Sequence, residues 1–398
     1  MANILFLYER DMATVSEAQL CYERVFKGCG VFISFKRIYK IKSADIAWAD
    51  ILYFIRPDNT LSLEVARKVA CVGKMVIFFI DDDLFHLPMS MPTIPWRRKA
   101  LEEILSVSDL IISSSPHICD MYKNNTKGKR AVRLDTPVAQ EEIVKSSSVI
   151  DIKENEIEGR EIKIVFAAGR NHEAPFDDFI QPILPKLNKR YGNKVSFTFV
   201  GVHPSINSED YNFNLDFLDG MSLCEYRKFM REKKFDIGLS PLHQDEFTKC
   251  KYFNKYIEYT MMGIAGIFSE CEPYTYVVRS GENGLLVRND PESWYDALCC
   301  VIDNKKLRID FTRSALNDIK ENFSDIAIRS HLEREIPEML EISKDDSRHY
   351  VVFSSLIKYR LLRICDIVYL IWYYLRKNGI KEVVYRIKEH IRASKSYK

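Results

Sequence analysis

Short apolar runs alternate with longer amphipathic stretches along most of this 398-residue chain. Continuous apolar runs of about four to eight residues are typical of buried strands, and an apolar period near 3.6 is typical of helices. Before residue 140 the apolar runs predict six strands, at residues 4–7, 31–38, 50–55, 75–80, 109–113 and 131–134. Helical patterns separate these strands, which indicates a parallel sheet covered by helices on both faces.

The same alternation restarts at residue 162. It predicts further strands at 162–167, 195–201, 235–241 and 264–269, and a strand entered by the Asn-Gly turn near residue 283. It predicts further helices at residues 176–190, 222–234, 248–263, 291–302 and 324–340. The last of these is expected to return toward the first domain. A second α/β sheet therefore follows the first.

A polar, charged and serine-bearing stretch at residues 140–160 lies between the two patterned regions and is typical of a linker. We predict an α/β protein with two domains, each built on a parallel sheet, and an appended tail. The predicted boundaries are 1–145 for the first domain, 146–160 for the linker, 161–342 for the second domain and 343–398 for the tail.

Composition narrows the class of protein. A hydrophobic content of 46% and a charged content of 29% are ordinary for globular proteins. Ten cysteines without a CxxC pair favour reduced thiols, and His and Cys do not cluster at metal-binding spacing. No leader pattern is seen and no run reaches about 20 apolar residues. We therefore expect a cytoplasmic protein with no cofactor and no metal.

The tail differs in charge from the rest of the chain. Residues 351–398 hold 11 Lys+Arg and 3 Asp+Glu, whereas the remainder carries a net negative charge. Residues 364–375 are nearly all apolar or aromatic and include Tyr369 and Trp372. A basic amphipathic helix of this kind is suited to a membrane interface. The alternative is a helix that packs on the enzyme or on a second subunit; nucleic acid is disfavoured because the cations accompany a large apolar stripe.

A helix predicted between Thr248, as N-cap, and Gly263, as terminator, has a polar face. Lys251, Lys255 and Glu258 share that face at spacings of four and three. Lysines at a helix N-terminus suit a phosphate, and a carboxylate farther along can accept both hydroxyls of a ribose. A solvated Lys/Glu face remains the alternative.

Charged residues also follow two strands of the first domain. Arg56 comes after the strand at 50–55, and Asp81, Asp82 and Asp83 come after the strand at 75–80. Open α/β sheets bind ligands at these carboxyl ends. The acids could face substrate hydroxyls, cap the next helix or hold a metal, and His86 could be a base or a structural residue. No glycine-rich phosphate loop follows the first strand.

The string from Phe235 to Trp294 resembles a known family. Its motifs are C-K-x-x-x-K-x-x-E-Y, I-A-G-I-F-S and S-G-E-N-G-L-L-V-R-N-D-P-E-S-W. They are similar to the donor-binding half of retaining GT-B glycosyltransferases of the family-4-like group (glycosyl transferases group 1), which act in bacterial surface polysaccharide synthesis. Weaker likeness covers residues 3–340. The pattern departs at Cys250, where many relatives have the first of two glutamates; Glu258 matches the second.

The resemblance implies two Rossmann-like domains facing a central cleft, with the acceptor on the first and the donor on the second. It implies donor-binding residues in the second domain, namely Gly169, Arg170, Lys251, Lys255, Glu258, Tyr259 and Tyr274. It implies acceptor-side residues in the first, namely Arg56, Asp81, Asp82, Asp83 and His86. Arg170 and Lys255 would stabilise the departing diphosphate, and one of the acids would take the proton of the attacking hydroxyl.

The expected function is transfer of a sugar from a nucleotide-diphosphate sugar to a glycan, expected to be lipid-linked, in lipopolysaccharide or capsule synthesis. The reaction would be retaining and metal-independent, and the protein would lie on the inner face of the cell membrane. Two alternatives stay open: a non-catalytic partner that binds glycan or nucleotide, favoured by Cys250, and a polyol-phosphate transferase. A homo-oligomer is also left open.

Overall fold

The computed structural model describes residues 2–85, 93–125, 130–156, 159–169, 173–341 and 356–396. It divides the chain into two compact units. The first unit combines residues 1–137 with residues 328–398, and the second unit is residues 138–327. Each unit contains one six-stranded parallel sheet with helices packed on it, which confirms the predicted α/β class with two Rossmann-like domains.

The first unit has its strands in the order β2-β1-β3-β4-β5-β6. These strands are β1 (Asn3–Tyr8), β2 (Phe32–Arg37), β3 (Ile51–Ile55), β4 (Met75–Phe79), β5 (Leu110–Ser113) and β6 (Arg130–Arg133). The helices between them are α1 (Ala13–Val25), α2 (Ser43–Trp48), α3 (Thr60–Cys71), α4 (Pro95–Val107) and α5 (Pro116–Asn125). All six strands predicted from the apolar runs are present.

Aromatic side chains fill the core on one face of this sheet. Phe6 of β1 stacks on Phe35 of β2, with ring centroids 4.3 Å apart, and Tyr53 of β3 lies on its other side. The buried hydroxyls of Tyr22 and Tyr53 are 2.6 Å apart and satisfy each other by a hydrogen bond. Buried polar atoms need such partners, so this pair allows two phenols in an otherwise apolar core.

The second unit has its strands in the order β12-β11-β10-β7-β8-β9. These strands are β7 (Ile162–Ala167), β8 (Val195–Val200), β9 (Asn214–Leu218), β10 (Ile237–Ser240), β11 (Ala265–Ser269) and β12 (Leu285–Val287). Its helices are α6 (Gln140–Glu154), α7 (Ala174–Phe179), α8 (Leu184–Tyr191), α9 (Leu223–Lys233), α10 (Glu246–Lys249), α11 (Asn254–Met261), α12 (Pro291–Asp303) and α13 (Lys305–Asn322). Counted within the unit, the order is 3-2-1-4-5-6, that of dinucleotide-binding folds.

The segment predicted as a linker is different in the structure. Residues 140–154 form helix α6, which belongs to the second unit. Ile143 and Ile150, two turns apart, are buried in a cluster of that unit, and the ammonium of Lys153 donates to the backbone carbonyls of Phe235 and Gly263. The polar composition concealed an apolar stripe of only a few residues.

Other helices differ from the pattern at identifiable residues. The helix predicted at 176–190 is divided into α7, a 3₁₀ turn and α8, because Pro182 and Pro185 cannot continue the backbone hydrogen bonds of a helix. Helix α13 and edge strand β9 were not predicted. Strand β9 is half-exposed and carries Asn214 and Asp216, so it lacks the continuous apolar run by which the other strands were predicted.

Helix α14 (Asp325–Glu335) returns to the first unit, as predicted. Ile328 and Leu332 of α14, with Ile336 and Met339 after it, are buried in the core of the first unit. Residues from the end of the chain therefore complete the packing of its first sheet.

The tail is helix α15 (Leu356–Ser396), interrupted at Gly379, which has a positive φ of 77°. Asp366 on its inner face is buried and accepts hydrogen bonds from Trp96 Nε1 at 2.7 Å and Arg97 Nε at 2.9 Å. Arg97 also pairs with Glu9 and Asp58. The tail is thus fixed to the first unit by a buried ionic network. Of the helices in the described ranges, none is long and apolar enough to cross a bilayer.

Candidate functional site

Helix α11, which carries the predicted donor-binding residues, begins later than the sequence indicates. Asp245 caps the short helix α10 by accepting from the backbone N–H of Thr248 at 2.7 Å. The chain then leaves the helical conformation, and α11 starts at Asn254. The prediction of Thr248 as N-cap of one long helix is therefore wrong, whereas Gly263 does follow its end with a φ of 62°.

This break separates two of the predicted lysines. Lys251 lies before α11, where its ammonium is 5.6 Å from the ring centroid of Phe247. Lys255 lies in the first turn of α11 and Glu258 lies one turn later. A cation in the first turn is opposed by the helix dipole, and a bound anion would relieve that conflict.

Lys255, Glu258 and Tyr226 form one hydrogen-bonded group. The ammonium of Lys255 is 2.6 Å from Glu258 Oε2 and donates to the Tyr226 hydroxyl at 3.2 Å. The Tyr226 hydroxyl in turn donates to Glu258 Oε2 at 3.2 Å, and its ring lies 5.0 Å under the ammonium. Tyr226 comes from α9, 29 residues before Lys255. It was not predicted, because nothing in the periodicity of α9 distinguishes it from a packing residue.

The surroundings of Lys255 and Tyr226 raise the pKa values of both side chains. Burial lowers the pKa of Lys255, but the Glu258 carboxylate and nearby phenols raise it further, so the pKa lies above its usual value. Burial and Glu258 raise the pKa of Tyr226 well above its usual value. At neutral pH the Lys255 side chain is therefore an ammonium and Tyr226 is a neutral phenol. The Lys255 side chain is 23% exposed and so remains open to a ligand.

The carboxyl ends of two neighbouring strands adjoin this group. β10 ends at Ser240, whose hydroxyl is 2.5 Å from that of Tyr274, and Lys255 acts electrostatically on Tyr274. Burial raises the pKa of Tyr274 to about 12, so its phenol stays neutral. β7 pairs with β10 and is followed by Gly169. The order of strands reverses between these two, which is where open α/β sheets bind their ligands.

The turn after β7 is shaped by close backbone packing. A Cβ at Gly201 would lie 2.5 Å from the carbonyl oxygen of Ala168, so only glycine allows the strands β7 and β8 to end this close together. Gly169 follows and is exposed. The predicted diphosphate contact Arg170 lies outside the described residues.

Tyr259 is placed differently from its predicted donor-binding role. Its ring packs on Gly238, where a Cβ would come within 2.6 Å of the ring, and its hydroxyl donates to the Leu239 carbonyl at 2.8 Å. It therefore packs α11 on β10 rather than presenting a polar atom to a ligand. Cys250 is 1% exposed and belongs to the core as well.

The glycine-rich string at residues 280–284 also has a packing role. Asn283 is buried and donates to the Tyr256 hydroxyl at 2.9 Å and to the Val277 carbonyl at 3.0 Å. Tyr256 donates to Asp318 at 2.7 Å. These bonds hold α11, which carries Lys255, against its neighbours, a function that the motif alone does not reveal.

The predicted acceptor-side residues of the first unit form a second polar group. Arg56, just after β3, pairs through Nε with Asp81 and through Nη2 with Asp82, both just after β4. Thr14 donates to the other oxygen of Asp81 at 2.9 Å. Arg56 has a positive φ of 47°, which is rare for a residue with a side chain and is typical of functional sites. Asp81 and Asp82 are thus both paired with one cation of the same sheet edge.

The three acids differ in their surroundings. Burial raises the pKa of Asp81 despite the opposing effect of Arg56. Asp83 is 1% exposed and accepts from the Phe85 backbone N–H at 2.9 Å. The next helix of the described residues begins at Pro95 with Ile94 as its N-cap residue, so these acids do not cap that helix. His86 lies outside the described residues, and within the described ranges no three metal-ligating side chains form a cluster that could hold an ion.

Comparison with known proteins identifies the second unit. Residues 162–304 match the family model of glycosyl transferases group 1. This segment contains the Lys255 group, Gly169 and the string that suggested the family from sequence. None of the curated proteins matches the chain significantly.

Solved structures match over most of the chain. HepE from Anabaena, in complex with UDP, is similar at a TM-score of 0.58 and 11% identity, covering 84% of this chain and 100% of that chain. A glycosyltransferase from Rickettsia africae gives 0.59 at 11% identity, with 86% and 99% covered. The lipopolysaccharide outer core galactosyltransferase WaaB gives 0.55 at 12% identity, with 84% and 99% covered.

At these identities the likeness to solved structures concerns the fold, which is the two-sheet GT-B fold. The family match concerns the segment that holds the Lys255 group. Residues 162–304 therefore match the glycosyl transferases group 1 family, and the fold of the chain is that of GT-B glycosyltransferases.

Proposed function

We propose that the protein transfers a sugar from a nucleotide-diphosphate sugar to a glycan acceptor, with the donor bound by the second unit. The observation that carries this proposal is the group of Lys255, Glu258 and Tyr226 at the carboxyl edge of a sheet with dinucleotide-binding strand order. Among the similar structures, HepE is described in complexes with UDP and with UDP-glucose. A nucleoside diphosphate fits both the positive charge and the carboxylate of this group.

In the reaction the acceptor hydroxyl attacks the anomeric carbon of the donor sugar, and the bond from that carbon to the diphosphate oxygen breaks. Negative charge then grows on the departing diphosphate. The Lys255 ammonium turns from Glu258 to this diphosphate and stabilises it, with Gly169 giving close access to backbone N–H groups. Glu258 then accepts hydrogen bonds from the ribose hydroxyls. The predicted contacts Arg170 and Lys251 add positive charge, so the proposed reaction needs no metal.

The first unit supplies the proton acceptor in this proposal. Both oxygens of Asp81 are engaged, by Arg56 and by Thr14. Among the described contacts of Asp82, only its Oδ2 is engaged, by Arg56. The Asp82 side chain is 32% exposed, whereas that of Asp81 is 20% exposed. We assign Asp82 as the base that takes the hydroxyl proton, while Arg56 and Asp81 hold it in place. By family resemblance the anomeric configuration is retained.

The tail supports the proposed location on a membrane. Its outward face is continuously apolar, with side chains 40–59% exposed, formed by Leu361, Ile364, Ile367, Val368, Ile371, Trp372 and Leu375. The one acid of residues 356–378, Asp366, points inward. A second copy would bring two strongly basic helices together, whereas an anionic bilayer surface complements them. We propose that the protein binds the inner membrane surface and acts on a lipid-linked acceptor of a surface polysaccharide.

Donor hydrolysis tests the catalytic proposal. A panel of nucleotide sugars is first screened by thermal shift, because a donor at about 100 times its Kd adds about 2.7 kcal/mol of stability. The stabilising donor is then incubated with protein in the absence of acceptor. Release of free nucleoside diphosphate by wild type and loss of release in Lys255→Ala is the expected result. Binding without any release, with or without a glycan acceptor, would instead identify a non-catalytic binding partner.

A further inference from the structure

A basic pocket of about 730 Å³ lies in the first unit, outside the groups described so far. It opens at the carboxyl ends of β1 and β2, where Tyr8 and Arg37 are register partners in the parallel sheet. Its wall continues through the turn that follows β2. The side chains that matter below are Tyr8, Lys36, Arg37, Tyr39, Lys40 and Lys42.

The charge of the pocket is positive after its internal ion pairs are counted. Arg37 pairs with Asp11, which also lines the pocket, and Lys36 pairs with Asp45. Lys40 and Lys42 are exposed and have no carboxylate partner among the described side chains. Four cations against two carboxylates leave two positive charges. Phosphate groups, which carry close to two negative charges each at neutral pH, complement that excess.

The pocket also offers a neutral hydrogen-bond donor. Burial raises the pKa of Tyr39 to about 12 and also raises the pKa of Tyr8. Both phenols therefore stay protonated at neutral pH; the Tyr39 hydroxyl can donate to an anion, whereas the Tyr8 hydroxyl is hydrogen-bonded to Asp11. The ring of Tyr39 lies 5.4 Å from the Arg363 guanidinium of the tail helix, so the tail borders the pocket.

The position of the pocket relates it to the acceptor-side group. The strands run in the order β2-β1-β3-β4, so the pocket at β1 and β2 and the group of Arg56, Asp81 and Asp82 after β3 and β4 share one sheet edge. Strand spacing places the end of β2 about 14 Å from the end of β4. The chain order reverses between β1 and β3, where such sheets bind ligands. One extended molecule can therefore contact both the pocket and the group of Arg56, Asp81 and Asp82.

We infer that this pocket binds a phosphate or diphosphate group of the acceptor, placing the acceptor's glycan end at Arg56 and Asp82. The inference rests on the proposed function only in naming the ligand as the acceptor; the pocket and its charge are independent of the donor group. A phosphate carried by a lipid would enter beside the tail helix. A phosphorylated sugar free in solution would use the same cations.

Site-resolved lysine acetylation, read by mass spectrometry on the full-length protein, tests the pocket directly. Saturating inorganic diphosphate should slow acetylation of Lys40 and Lys42 about threefold or more. Lys27 and Lys99, exposed lysines elsewhere in the same unit, should be unaffected. Lys27 follows α1 at the opposite edge of the sheet and so controls for general ionic screening. Equal slowing at all four lysines, or none at any, would overturn the inference.

Two further arms separate the sources of phosphate. Phosphatidylcholine vesicles with about 10% phosphatidic acid should protect Lys40 and Lys42 more than pure phosphatidylcholine vesicles do, if the group is carried by a lipid. Protection by soluble diphosphate alone identifies a free phosphorylated acceptor and equally supports the pocket. Acceptor-free donor hydrolysis by the wild type is measured separately, because it tests the proposed function without the pocket; loss of hydrolysis and loss of protection are therefore distinguishable failures.

Discussion

Substitution of Lys255 by alanine separates catalysis from folding. Its ammonium lies 2.6 Å from Glu258 and the side chain is 23% exposed. In a shielded site, removal of one charged contact to the departing group costs about 10²–10³ in kcat. Partial exposure lets water replace some of that stabilisation, so we expect the lower end, about 10²-fold, which corresponds to about 2.7 kcal/mol.

The same substitution should hardly affect stability. A partly exposed pair at i,i+3 contributes at most about 1 kcal/mol to folding. The melting temperature of Lys255→Ala should therefore fall by no more than a few degrees. A large loss of kcat with a small loss of stability is the result expected for a contact that strengthens in the transition state.

The assay is release of nucleoside diphosphate over a range of donor concentrations up to saturation, so that kcat and KM are measured separately. Glu258→Gln should mainly raise KM, because its proposed partners are ribose hydroxyls in ground state and transition state alike. Lys249→Ala is the matched control: Lys249 also forms an i,i+3 pair, with Glu246, in the preceding helix. A kcat for Lys255→Ala within threefold of wild type would show that the pair is only a solvated ionic contact.

Four further predictions concern other parts of the chain. Asp82→Asn should lower transfer to acceptor about 10²-fold and leave donor affinity unchanged, by kinetics and by titration of donor. Trp372→Ser should weaken binding to anionic vesicles about tenfold in sedimentation, because its ring belongs to the apolar face of the tail. Gly238→Ala should cost about 1–3 kcal/mol in urea unfolding, since its Cβ would meet the ring of Tyr259 at 2.6 Å. Burial lowers the pKa of Lys153 from its ordinary value of 10.5 to about 8. Between pH 8 and 10.5 the unfolded chain therefore holds a proton that the folded chain has released, so the free energy of unfolding should rise with pH in that window. Lys153→Met should remove the rise.

Two of these predictions have a control variant within the chain, and the other two have a result that would contradict them. Ile326→Ser removes an exposed apolar side chain of α14 and should leave vesicle binding unchanged. Gly220→Ala adds a Cβ with no atom within 4 Å and should leave stability unchanged. Activity of Asp82→Asn equal to wild type would exclude Asp82 as the base. A flat stability profile of wild type between pH 8 and 10 would contradict the assigned pKa of Lys153.

The strand pattern was readable from sequence because both sheets are buried on both faces. Strands such as Ile51–Ile55 are apolar at every position, a signal that needs no knowledge of partners. Strand β9 has one half-exposed face and a place at the sheet edge, and its mixed composition was read as loop. Burial on both faces made the central strands readable; of the two less buried edge strands, β2 was predicted and β9 was not.

The candidate site was only partly predictable. Lys255 and Glu258 are three residues apart, so helical spacing was enough to bring them together. Tyr226 joins them across the fold, and Arg56 reaches its acids from 25 residues away, contacts that no local period encodes. The break before Asn254 follows the short helix α10, which Asp245 caps at its N-terminus, and the apolar period of the whole stretch does not reveal it.

The discontinuity of the first unit sets the order in which the protein can be completed on the ribosome. Its sheet is made by residue 133, but the side chains of Ile328, Leu332 and Met339 that close its core emerge only after the second unit, residues 138–327. At about 5–20 residues per second this interval lasts about 10–40 s. Asp366, the partner of Arg97, emerges later still. The contiguous second unit can therefore finish folding first, while the core of the nascent first unit still lacks the side chains that close it.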